Sequence, residues 1–178
     1  MKKVALHDKT FVLFIANADI QTAIDKVAQK INAELAGERP LFISLLNGAF
    51  MFTADLLKSI DMPCEVSFIK YASYAGVHST GEVAELIGLN VDVKGRTVVI
   101  LEDIIDTGIT IANLLKELEH LSPKTIKIAT MLYKPNAFKE DFTIDYVGVE
   151  IPNDFIVGYG LDYDGLGRNL KDIYTLEK

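Results

Sequence analysis

The sequence predicts an α/β fold built on a mainly parallel sheet. Residues 41–46 (LFISLL) are a continuous apolar run, as a strand buried on both faces would be. Residues 97–102 (TVVILE) repeat that pattern. Each run is followed by a stretch with helical spacing and then by another strand-like run, so strand, helix and strand alternate twice.

The elements follow in order. The N-terminus (MKKVALHDKTFVLFIANADI) reads as an opening strand. His7, Asp8 and Lys9 break its apolar run too early for a signal peptide. Over 17–36, Ile20, Ile24, Val27, Ile31 and Leu35 recur at helical spacing, with Asn17 or Asp19 as caps and Gly37 as a stop. After the strand 41–46 come Asn47-Gly48 and an amphipathic helix over 49–60. Residues 64–70 (CEVSFIK) form the next strand, and 71–82 (YASYAGVHSTGE) a polar, mobile loop. A helix is expected over 109–120 and a strand over 125–133. The last 35 residues show strand and turn signals without a long helix, which suits a small cap beside the core. No linker or repeat interrupts residues 1–178, so one domain is expected.

Composition narrows the function. No apolar span is long enough for a transmembrane helix, and the single cysteine, Cys64, excludes an internal disulfide and fits a reducing compartment. A soluble cytoplasmic protein is expected. The net charge of −7 argues against nonspecific binding of nucleic acid. An anionic substrate would need local backbone amides or a metal ion to override that charge.

Residues 98–110 read Val-Val-Ile-Leu-Glu-Asp-Ile-Ile-Asp-Thr-Gly-Ile-Thr. A buried strand ends in Glu102 and Asp103, and Asp106, Thr107, Gly108 and Thr110 lead into the next helix. Ligands of open parallel sheets bind at the carboxyl ends of strands. The loop amides and the helix dipole can hold a phosphate, and the acids can hold ribose hydroxyls directly or through Mg²⁺. A plain capped turn explains Thr107 or Thr110 equally well, but not two adjacent acids after an apolar run.

The segment resembles the phosphoribosyl-diphosphate (PRPP) motif of type I phosphoribosyltransferases. More narrowly, Leu101-Glu-Asp-Ile-Ile-Asp-Thr-Gly with Thr110 resembles the hypoxanthine-guanine phosphoribosyltransferase family, and the likeness runs from about residue 40 to the C-terminus. It implies a parallel-sheet core flanked by helices, with a small hood from the terminal segments. The implied reaction is Mg²⁺-dependent transfer of a 5-phosphoribosyl group from PRPP to hypoxanthine, or guanine, in purine salvage. Glu102, Asp103, Ile105, Asp106, Thr107, Gly108, Ile109 and Thr110 would hold the ribose and 5-phosphate. Asp106 would act as the base at purine N7. Glu102, Asp103 and Asp162 would hold metal.

The same resemblance extends to other positions. Asn47 and Gly48 match the family's pyrophosphate loop, where a non-proline cis peptide exposes amides. Many members carry Lys and a second Gly where this chain has Asn47 and Ala49. Arg168 matches a pyrophosphate contact, and Ser73-Tyr74 the flexible lid. Lys134 matches the donor to the purine 6-oxygen, Phe155 the ring stacked on the base, and Ile156 the residue whose main chain reads the base edge. Gly165 and Gly167 stand where bulkier residues are common. Homodimers or homotetramers are usual in the family. Three rivals stay open: a nucleotide sensor with the same fold, a transferase for another base, and a doubly wound domain for some other phosphate. Lys134 argues against adenine, and the absence of a basic helix argues against a DNA-binding regulator.

Overall fold

The computed structural model describes residues 2–72 and 84–177. Six strands make the main sheet, in the order β5-β4-β3-β6-β7-β8. Of these, β3 (Leu41–Leu45), β4 (Glu65–Ala72), β6 (Thr97–Ile105), β7 (Thr125–Tyr133) and β8 (Tyr146–Glu150) run parallel. Only β5 (Ala84–Ile87), on the edge, is antiparallel to its neighbour. The central strands β3 and β6 are buried almost throughout, as their unbroken apolar sequences require.

Helices cover both faces. α1 (Asn17–Glu34) and α2 (Phe50–Lys58) bury Ile20, Ile24, Ile31, Phe52 and Leu56 against one face. α3 (Ile109–His120) packs Ile111, Leu114 and Leu118 on the other. A second, antiparallel sheet forms the hood, with the order β1-β2-β10-β9. It joins β1 (Lys3–Leu6) and β2 (Lys9–Ile15) to β9 (Ile156–Val157) and β10 (Ile173–Leu176), so the two ends of the chain share one layer.

The structure corrects three sequence expectations. The N-terminal segment is a hairpin of two strands rather than one strand. Not all of the last 35 residues belong to the hood: β8 completes the main sheet, and its fully buried Tyr146 donates a hydrogen bond from its hydroxyl to Glu34 of α1. Neither Asn17 nor Asp19 caps α1 with its side chain. Instead Ala16 occupies the cap position, and the Asn17 N–H donates to Asp172 Oδ1 at 2.9 Å. A carboxylate distant in sequence supplies what a local cap would have, and it favours the positive end of the helix dipole.

Candidate active site

β6 carries the acids further into the sheet than the sequence suggested. Its ladder with β7 continues through Glu102↔Thr130, Ile104↔Leu132 and Ile105↔Tyr133, so Glu102 and Asp103 lie within the strand rather than at its end. Glu102 is only 8% exposed. Its Oε1 accepts the Asp103 N–H at 3.1 Å, and Asp103 Oδ1 accepts the Ile104 N–H at 2.7 Å. Burial pushes the Glu102 carboxyl well above the usual range, and the neighbouring Asp103 charge adds to this. Burial raises Asp103 as well, opposed by its hydrogen bonds and by the positive charge of Arg168.

Asp103 stands against the loop that follows β3. The Leu46–Asn47 peptide is cis. A Cβ at Gly48 would lie 1.4 Å from Asp103 Oδ2, so any side chain here would displace that carboxylate or the loop. From the hood side, a Cβ at Gly160 would lie 2.0 Å from the Gly48 carbonyl oxygen. Gly48 is therefore held between the acid of β6 and the main chain of the hood. Leu45 to Gly48, Tyr71, Glu102, Asp103, Ile104, Thr110 and Arg168 enclose a cavity of about 280 Å³.

A second hollow, of about 100 Å³, lies inside the turn from β6 to α3 and is lined by Glu102 and Ile104 to Ile111. Gly108 enters α3 with φ +89° and has the Phe138 ring over it, where a Cβ would come within 2.7 Å. The Lys139 N–H donates to the Thr107 carbonyl, closing the segment after β7 over the turn. The first N–H groups of a helix lack intrahelical partners and point at this hollow's end of α3, a disposition suited to a phosphate. Thr107 and Thr110 add hydroxyls to the lining of the hollow.

Asp106 and Lys134 meet at 2.8 Å, Oδ2 to Nζ. The lysine is buried and the aspartate exposed, and the Lys134 N–H donates to the Ile105 carbonyl. Arg168 donates to Asp162 Oδ1 at 2.6 Å and to the Gly160 carbonyl at 2.8 Å, while Asp162 Oδ2 accepts the Gly165 N–H. Phe155 is half exposed and packs edge-on to Tyr163. The Ile156 side chain is in the core, leaving its main chain to the β9–β10 pair. Ser73 and Tyr74 lie outside the described residues.

The structure thus brings Asn47, Gly48, Glu102, Asp103, Thr110 and Arg168 to one cavity and pairs Asp106 with Lys134. Sequence reasoning missed Tyr71 and Ile104 in the cavity wall, and Gly160 behind the Gly48 loop. The Gly158-Tyr-Gly160 run, with positive φ at each residue, was the available signal for the last.

The donor set suits a hard cation. Among the described residues no three metal-capable side chains converge. Two carboxylates on the cavity wall are nevertheless the usual protein share of a Mg²⁺ site that takes its other oxygens from substrate and water.

The fold, with its cavity and turn at the carboxyl edge of a parallel sheet, is that of the type I phosphoribosyltransferase class. The family model for the phosphoribosyl transferase domain matches residues 16–164. Over 172 residues the chain is 41% identical to the hypoxanthine-guanine phosphoribosyltransferase of Bacillus subtilis, covering 96% of this chain and 95% of that protein. It is 39% identical to the bifunctional protein TilS/HprT of Listeria innocua over 97% of its own length, but spans only 27% of that longer protein. A crystal structure of a hypoxanthine-guanine phosphoribosyltransferase from Bacillus anthracis superposes with a TM-score of 0.88 at 36% identity, covering 93% of this chain and 98% of that one. The chain belongs to the hypoxanthine-guanine phosphoribosyltransferase family.

Proposed function

We propose that this protein transfers the 5-phosphoribosyl group of PRPP to hypoxanthine, and to guanine, with Mg²⁺, releasing pyrophosphate and IMP or GMP. The observation that carries this reading is the single cavity shared by the Asn47-Gly48 loop, the Glu102-Asp103 pair, Thr110 and Arg168, with the Asp106–Lys134 pair on the adjoining turn. The family match supports it independently.

In this reading the 5-phosphate is bound by the amides and hydroxyls from Asp106 to Thr110, at the start of α3. Glu102 and Asp103 orient the ribose diol and, with Asp162, are the residues that would hold Mg²⁺. That ion would neutralise charge on the diphosphate as it leaves. Arg168 and the amides beside Asn47 and Gly48 bind the departing pyrophosphate. The Asp106–Lys134 pair opens toward the base. Asp106 then takes the purine N7 proton as the ring nitrogen attacks C1, while Lys134 donates to the 6-oxygen. A keto oxygen accepts that hydrogen bond and an amino group cannot, which selects against adenine. Phe155 stacks on the ring, the Ile156 main chain reads its edge, and Ser73 and Tyr74 close over the substrates, keeping water from a cation-like sugar.

A homodimer or homotetramer in the cytoplasm belongs to the same proposal. The half-exposed Val66 and Phe68 on one face of β4 support an assembly, and sedimentation of the purified chain tests it. The function itself is tested by mixing the protein with PRPP, Mg²⁺ and hypoxanthine, guanine, xanthine, adenine or uracil in turn. Mg²⁺-dependent nucleotide from hypoxanthine or guanine is expected. Turnover of adenine or uracil alone would overturn the role given to Lys134.

A further inference from the structure

Tyr159 belongs by sequence to the hood segment, yet its ring is 2% exposed and sits in the core cluster beneath α1 and α2. Its main chain has φ +50°, in a region that L-residues rarely adopt. The hydroxyl donates to Asp55 Oδ2 at 2.7 Å. Asp55 lies on α2, the helix that starts just after the Asn47-Gly48 loop, and it also accepts Gln21 Nε2 from α1 at 3.0 Å and Lys58 Nζ at 2.8 Å. Burial raises this carboxyl, but the hydrogen bonds from Lys58, Tyr159 and Gln21 more than offset it, so it stays ionised and grips the phenol.

The next residue makes this bond more than a core contact. Gly160 touches the Gly48 carbonyl by close main-chain approach. Its own carbonyl accepts the Arg168 guanidinium at 2.8 Å, and its N–H donates to the Arg168 carbonyl at 3.0 Å. Gly160 therefore touches both the loop and the arginine that line the cavity, and the residue before it is fastened to α2.

We infer that Tyr159 is a positioning residue for the pyrophosphate half of the site. Its hydroxyl, held by Asp55, fixes Gly160, and Gly160 sets Arg168 and the Asn47-Gly48 loop at their working separation. This rests on the proposed binding of pyrophosphate by those residues.

The test uses the full chain in Tyr159→Phe, Asp55→Asn and Arg168→Ala, each checked for folding by its thermal midpoint. Inorganic pyrophosphate with Mg²⁺ is titrated calorimetrically, and KM is measured separately for PRPP and hypoxanthine. Tyr159→Phe should weaken pyrophosphate and raise the PRPP KM by about tenfold, because small misplacements of binding groups have large effects. The hypoxanthine KM should stay within about twofold, since Lys134 and Asp106 take no part in the link. Asp55→Asn should move the same two constants in the same direction by less, and it is read in the same way if the phenylalanine variant does not fold. A lowered midpoint with unchanged pyrophosphate affinity, or an equal rise in both KM values, overturns the inference. If Arg168→Ala weakens pyrophosphate and Tyr159→Phe does not, the inference alone fails. If Arg168→Ala also leaves pyrophosphate unaffected, the anion-site reading beneath it fails too.

Discussion

Glu102 and Asp172 are both buried carboxylates, and the protein treats them in opposite ways. Asp172, at the edge of the hood, accepts Lys2 Nζ, the Asn17 N–H and the Tyr174 hydroxyl. The lysine hydrogen bond, then that of the Asn17 amide, holds its carboxyl below the usual range. Burial drives the carboxyl of Glu102, on the central strand, up, and the like charge of Asp103 beside it adds to this, against the one opposing hydrogen bond from the Asp103 N–H. The hood spends its acids on joining the two ends of the chain to the start of α1. The core sets its two acids side by side at a cavity, where bound ligands can reach them. Buried acids with raised values recur at binding and catalytic sites.

Several substitutions would break or sharpen this contrast. The largest loss is expected from Gly48→Ala. The added methyl would meet the Asp103 carboxylate, so either the loop or the acid must move. Activity should fall below detection while the circular-dichroism spectrum stays native, because the clash is confined to the site. Asp106→Asn removes the base and should lower kcat by about 10²- to 10⁴-fold, read in the forward assay with PRPP held saturating.

Asp172→Ala tests the hood. It leaves the Asn17 N–H at the helix start without its acceptor, and denaturant titration should show a loss of about 1–3 kcal/mol. The sign of the pH dependence follows from the depressed folded value. The stabilisation is present above the unfolded value of 3.8 and is lost as the pH falls through the lower folded value. The wild type should thus weaken below about pH 4, more steeply than Asp172→Asn.

The smallest effect has the opposite sign. The folded Glu102 value lies above the unfolded 4.5, so the folded protein binds more protons in that window and its stability falls as the pH rises through it. Glu102→Gln should remove that penalty and raise the thermal midpoint at pH 7 without ligand, by about 2–4 °C for each kcal/mol relieved. The same variant should bind PRPP with Mg²⁺ more weakly. A midpoint that drops would mean that Glu102 is stabilised in the free protein, and the contrast with Asp172 would dissolve.

Much of the site was legible from residue order. Thr97 to Thr110 combine a buried strand, two acids and a turn into a helix within one segment, so local pattern marks the strand, its acids and the start of α3, although the strand runs on to Ile105. The limits of α3 and β7 were read correctly for the same reason, since their periodicities are strong and their ends carry clear signals. The cap of α1 was misread because its acceptor, Asp172, lies 155 residues away. The place of β8 was misread because a short strand gives no local sign of which sheet will accept it.

The sequence by itself determined the fold class, the acid pair and the family, because each is written in contiguous residues whose spacing sets their chemistry. Only the tertiary structure decided that Asp106 meets Lys134, that Gly48 sits between Asp103 and Gly160, and that Tyr159 reaches Asp55. Those contacts join positions 28 to more than 100 residues apart. They exist because parallel strands bring their carboxyl ends to one edge, and because the paired chain termini lay a hood against that edge.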